Sequence, residues 1–244
     1  MALDYTLAQN MRSSDVPVLR FYGWQPYCVS IGFHQKKENL DINKIIQNRF
    51  EAVRRPTGGS AIFHSEELTY SYIVPKTNVN QQRIYHLIHV YIAAALQKLG
   101  YEVHLKKEML SGNYLKKGKS SFACFNRTAQ SEIQFKGRKV LGSAQKIYQN
   151  SILQHGSLLI GAKQSEITRF LKGDNAEKKE LSLYLRKHSI SLLDIKKRDI
   201  QPITLSEAIV EEFCKNTNTA AYYFYPTARE KEQARMYENI FLIS

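Results

Sequence analysis

Residues 131–146 read SEIQFKGRKVLGSAQK, and this stretch decides the fold. Its apolar halves flank Lys136-Gly137, a pair suited to a tight turn, so the segment predicts a β-hairpin. Gly142, Ser143 and Ala144 follow, with Gln145 behind them, and small residues facing a strand partner leave room for a ligand. Lys139 lies three positions before that opening. A lysine inside an apolar strand is costly unless it is paired or has a depressed pKa. Either state suits it to hold a carbonyl or to move a proton. A surface lysine on a hairpin edge is the plainer alternative.

Working outward, SILQHGSLLI (151–160) reads as a further strand, and LTYSYIVP (68–75) as a β-branched and aromatic strand ending at Pro75. Between them, residues 81–99 predict an amphipathic helix with Ile84, Leu87, Ile88, Tyr91, Ile92, Ala95 and Leu96 on one face. Toward the start, residues 2–12 read as a helix, and VLRFYGW and YCVSIGF as paired strands broken by Gly23, Pro26 and Gly32. A short helix over about 41–48 and the strand AVRR complete that half. Beyond about residue 163 the chain turns helical and charged, with Ser206 as the cap of LSEAIVEEFCK, and the last 18 residues form a helix or a loose tail. Strands flanked by helices without a regular βαβ rhythm predict an α/β (α+β) domain with a mixed sheet.

The bulk numbers narrow the function. A chain of 244 residues, 43% hydrophobic and 23% charged, suits a soluble globular protein with a real core. No stretch approaches 18 consecutive apolar residues and the start lacks a signal-peptide pattern, so a cytoplasmic protein is expected. Three widely spaced cysteines, Cys28, Cys124 and Cys214, exclude a disulfide framework, and no CxxC pair suggests a metal. The net charge of +13 fits nucleic acid, membrane phosphates, an acidic protein partner or simply a solvated lysine surface. Scattered basic pairs without a helix-turn-helix, zinc-finger or RNP-like pattern argue against nucleic acid.

Three further segments carry candidate chemistry. In RRPTGGSAIFH (54–64), Gly58-Gly59 lets the main chain approach a ligand, while Arg54 and Arg55 offer fork-shaped donors. A plain turn is the alternative, and the GxxxxGK[ST] spacing of a P-loop is absent. In LQHGSL (153–158), His155-Gly156 lines the same cavity or serves as a hydrogen-bonded structural histidine. In SSFACF (120–125), Cys124 is a nucleophile or a small buried hydrophobe.

Five blocks in order, MALD, RFYGWQP…SIG, RRPTGGSAIFH…ELTYS, GRKVLGSAQ and LQHGSLLI, resemble the lipoate-protein ligase and octanoyltransferase family over about residues 1–162. This family is a relative of biotin-protein ligase, whose glycine-arginine-rich biotin loop is not evident here. The resemblance implies a mixed-sheet fold with a tunnel for an eight-carbon acyl chain. It implies an acyl-binding set of Arg54, Arg55, Thr57, Gly58, Gly59, Ser60, His64, Gly142, Ser143, Ala144, Gln145, His155 and Gly156, with Lys139 at the reactive carbonyl. SSFACFNRTAQSEIQFKGRK further resembles LipM-type octanoyltransferases, in which a Cys-Phe pair precedes the hairpin and the cysteine accepts the acyl group; Cys124 takes that place. The segment departs from that type between Asn126 and Ser131, where an Ala-Pro-Ser run and an aromatic are usual. The usual strand before MALD also has no counterpart here.

The expected reaction moves octanoyl from acyl carrier protein through Cys124 to a lysine of a glycine-cleavage H protein or an E2 lipoyl domain, with no cofactor. Ligase chemistry, with ATP and Mg2+, is the alternative. The expected organisation is one catalytic domain over 1–225 and a charged helix or tail over 226–244.

Overall fold

A computed structural model describes residues 1–77, 80–106 and 132–243. Its strongest local signal is the 81–99 helix, which forms as α3 (Gln81–Lys98). The Asn80 side chain caps it by accepting from the Gln82 and Arg83 amides. Ile84, Ile88, Tyr91, Ile92, Ala95 and Leu96 are buried, and Leu87 is half-buried. This face covers a four-stranded antiparallel sheet in the order β1 (Val18–Tyr22), β5 (Glu67–Pro75), β10 (Ser151–Leu159), β9 (Leu141–Ile147). Leu68, Tyr70, Tyr72, Val74, Ile152 and Leu158 point toward α3, where α6 (Pro202–Thr217) completes the core.

A second sheet runs β3 (Glu51–Arg54), β2 (Cys28–Ile31), β4 (Ile62–His64), with β2 parallel to β3 and antiparallel to β4. The parallel pair makes the architecture mixed, as expected. A third, small sheet joins β6 (His104–Leu105), β7 (Ile133–Phe135) and β8 (Arg138–Lys139).

Three sequence expectations need correction. VLRFYGW and YCVSIGF do not pair with each other: β1 lies on β5, while β2 lies between β3 and β4. Every residue of β2 is buried, so it needs a partner on both edges, and its own sheet supplies them. The hairpin at Lys136-Gly137 forms, but it is only β7 and β8 long. From Leu141 the chain leaves it and pairs with β10 instead. Ser206 is not a cap; α6 begins at Pro202 after Gln201, using the fixed φ of proline, and the Ser206 hydroxyl donates back to the Ile203 carbonyl at 2.9 Å.

The two chain ends pack together. In α1 (Ala2–Asn10), Asp4 is fully buried; it accepts from the Tyr22 hydroxyl at 2.7 Å and pairs with Arg20, tying the MALD block to β1. The final residues form α7 (Ala228–Phe241), opened by a capping box between Thr227 and Glu230. Tyr5 of α1 meets Tyr237 and Phe241 of α7 edge-on. Among the described residues, no helix is long and apolar enough to cross a membrane.

Candidate active site

The pleat of the four-stranded sheet sorts its side chains. Paired residues share a face, so Glu67, Thr69 and Ser71 of β5 stand beside His155 and Ser157 of β10 and Gly142 and Ala144 of β9. At one end of this face Leu159 joins the core of the second sheet, and at the other Ile73 and Leu153 pack under α1. The small and polar middle is left open. A cleft forms there, lined by Thr69, Gly142, Ser143, Ala144, His155, Gly156 and Ser157 on this side and by Arg55, Gly59, Ile62 and His64 on the other, with Met1 at its edge.

Gly156 is required at the floor. A Cβ there would lie 2.4 Å from the Ser143 Oγ, 2.5 Å from a Tyr70 ring carbon and 2.7 Å from the Gly142 carbonyl. Gly156→Ala should cost roughly 1–3 kcal/mol by overpacking. At roughly 2–4 °C per kcal/mol for a chain of this size, thermal denaturation should show Tm lower by several degrees. An unchanged Tm would contradict this packing.

The Gly-Gly loop is built as a rigid wall. The Arg55 guanidinium is buried and donates to the carbonyls of Gly58 (3.2 Å) and Ser60 (2.9 Å), to the Ser30 carbonyl (3.2 Å) and to the Ser30 hydroxyl (2.6 Å). Arg54 donates to the Phe33 and Gln35 carbonyls at 3.0 and 2.5 Å, bracing the loop from outside. Both forks therefore hold main chain in this structure. Gly59 adopts φ +95, and a Cβ on Gly32 would collide with the Gly59 carbonyl at 2.0 Å, so β2 and the loop touch backbone to backbone.

A polar chain continues from Arg55 across the cleft. Ser30 Oγ lies 2.6 Å from His64 Nε2, and His64 Nδ1 lies 2.7 Å from Glu67 Oε1. Burial would raise the Glu67 carboxyl, but the His64 ring beside it and the Thr69 hydroxyl hold it below its ordinary value. Ser30 Oγ, which also accepts from Arg55, links that guanidinium to the His64–Glu67 pair. Trp24 stacks on His64 at 4.3 Å and donates to Thr69 Oγ1 at 2.8 Å. Sequence reading missed Trp24, Ser30, Glu67, Thr69 and Ser157. For β5 a signal existed, since Glu67, Thr69 and Ser71 alternate with Leu68, Tyr70 and Tyr72.

Thr57 Oγ1 lies 2.6 Å from His155 Nε2, joining the loop to the sheet. Burial, helped by the Arg55 charge, pushes the His155 ring down to about 3, so it is neutral at physiological pH and supplies no cation to the site. Below its ordinary value of 6.5 the unfolded chain takes up a proton that the folded chain refuses. Stability present above pH 6.5 is therefore lost progressively between about 6.5 and about 3. His155→Gln should flatten that limb of a pH series of urea midpoints, and equal wild-type and variant slopes between pH 7 and 4 would contradict it.

Ser143 turns its hydroxyl toward α3, within 2.8 Å of both Tyr70 and His89. Gln145 also faces away from the cleft, donating to Gln154 Oε1 at 3.0 Å. Lys139 is buried in β8 and ion-paired with Glu132, which answers the cost of a lysine in this setting. Cys124 falls outside the described residues. Cys28 is fully buried and its thiol is pushed well up by burial, a packing residue; Cys214 sits half-buried in α6. Among the described residues, no cluster of His, Cys, Asp and Glu could hold a metal ion.

A mixed-sheet domain whose two larger sheets enclose a small-residue cleft under an arginine-clamped Gly-Gly loop has clear relatives. The family model for the lipoyl protein ligase A/B catalytic domain matches residues 1–214, and the chain belongs to that family. An octanoyltransferase LipM of Kyrpidia tusciae is 30% identical over 241 residues, spanning 96% of this chain and 88% of that one. One from Staphylococcus aureus is 32% identical over 228 residues, 89% and 82% of the two chains. Among solved structures, a lipoate-protein ligase A bound with ATP superposes with TM-score 0.77 at 20% identity, over 97% of this chain and 87% of that one. A bipartite lipoate protein ligase from Thermoplasma acidophilum, studied with its E2 lipoyl domain, gives 0.76 at 19% identity, over 97% and 85%.

Proposed function

We propose that this protein transfers an octanoyl group from acyl carrier protein to a lysine of a lipoyl-carrier protein, an H protein or an E2 lipoyl domain, without ATP. The observation that carries this reading is the near-full-length likeness to octanoyltransferases LipM at about 30% identity. The carbon chain lies in the cleft against Gly142, Ala144 and Gly156, where small residues leave room. The Cys124 thiolate attacks the donor thioester; a new carbon–sulfur bond forms and the carrier thiol leaves with a proton. A lysine amine of the acceptor then attacks the Cys124 thioester, forming the amide, giving up a proton and releasing the thiol. Dividing the transfer lets one acyl pocket serve two large partners in turn. The Lys139 ammonium favours the thiolate and the oxyanion of each tetrahedral intermediate, while His155 is neutral and adds no charge.

The donor decides between this and the ligase reading. Octanoyl-acyl carrier protein without ATP should acylate a lipoyl domain, whereas modification only with lipoate plus ATP would overturn the proposal. The surplus of 35 Lys and Arg over 22 Asp and Glu should also steer the acidic carriers to the enzyme. Transfer at limiting carrier should slow as salt rises from about 0.05 to 0.5 M, and a flat profile would leave the lysines a solvated surface.

A further inference from the structure

We propose that Glu132 is a positioning residue for the transfer, acting through Lys139; this rests on the function proposed above. The β7–β8 turn sets Gln134 opposite Lys139 and so brings the residue just before β7 alongside the lysine. Glu132 Oε1 forms the ion pair with Lys139 Nζ, and the two residues are only 2% and 8% exposed. A buried carboxylate is expensive without a partner, and the second Glu132 oxygen has no hydrogen-bond partner among the described residues. Local folding does not call for a charge here, because the main chain is already fixed. The Glu132 carbonyl accepts from the Lys106 amide at 3.0 Å, and the Lys139 carbonyl accepts from the Ile190 amide at 2.9 Å. What the main chain leaves unset is the flexible four-carbon lysine stem, and the carboxylate selects its direction. Glu132 thereby holds the Lys139 side chain in a fixed place. That role is electrostatic, for thiolate and oxyanion, and it is distinct from abstracting a proton.

The test is a cycle of wild type, Glu132→Gln, Lys139→Met and the double variant, assayed with octanoyl-acyl carrier protein and a lipoyl domain. Glu132→Gln should lower kcat by about 10²-fold, the size of a lost positioned group, with KM for both carriers within about threefold. The double variant should be no slower than Lys139→Met, since residues acting as one unit are not additive. It should also melt above Lys139→Met, because the amide removes the stranded carboxylate, so that a stable fold accompanies low activity. Glu132→Asp should recover part of kcat. A Glu132→Gln variant within about threefold of wild-type kcat, or a double variant slowed by the product of the single losses, would overturn the proposal. If wild type acts only on lipoate plus ATP, the same cycle run with that donor tests Glu132 separately from the octanoyl reading.

Discussion

Lys139→Ala should reduce transfer by about 10²–10⁴-fold, the range spanned by a positioned acid–base or electrostatic group. The expectation follows from its placement. The side chain is buried, paired with Glu132, and anchored on a strand that runs directly into the Gly142–Ala144 wall of the cleft. His155 is neutral and supplies no charge to the cleft. Truncation also strands the Glu132 carboxylate, which costs roughly 3–5 kcal/mol when one member of a buried pair is deleted. Activity should therefore be compared at a temperature where the variant is folded, verified by circular dichroism. A loss below about tenfold in folded protein would remove Lys139 from the mechanism.

Much of this site was legible before any coordinates, and the reason is periodicity. LTYSYIVP and SILQHGSLLI declare themselves as strands, and α3 declares its buried face through 3.6-residue spacing. The Gly-Gly loop and the small residues of β9 are visible as residue types that permit close approach. Long-range pairing was not legible. That β1 lies on β5 while β2 sits between β3 and β4 depends on which edges remain after the whole sheet assembles. The break at Val140 has the same origin, since its amide still bonds Ile133 while its carbonyl already accepts from Leu159. The roles of Arg54 and Arg55 also changed once neighbours were present. Residue type suggested forks for an anion, whereas the structure turns both forks onto carbonyls of their own surroundings. Ser30 and Trp24 gave no local signal, because their partners are distant in sequence: His64 lies 34 residues from Ser30, and Thr69 lies 45 residues from Trp24.

Cys124→Ser should lower octanoyl transfer by at least about 10³-fold, because a serine hydroxyl at neutral pH needs a stronger base than a thiol does. The two other cysteines do not compensate. Cys28 is sealed in β2 with its thiol pushed up by burial, and Cys214 lies in α6, which packs on the α3 side of the sheet, away from the cleft. The most direct measurement is intact-protein and peptide mass spectrometry after incubation with octanoyl-acyl carrier protein and no ATP. One octanoyl mass should appear on the wild-type chain, labile to hydroxylamine and mapped to Cys124, and Cys124→Ser should carry none. A Cys124→Ser protein that still lipoylates its carrier with lipoate plus ATP at the wild-type rate, or a wild-type chain that never takes up the octanoyl mass, would contradict the account.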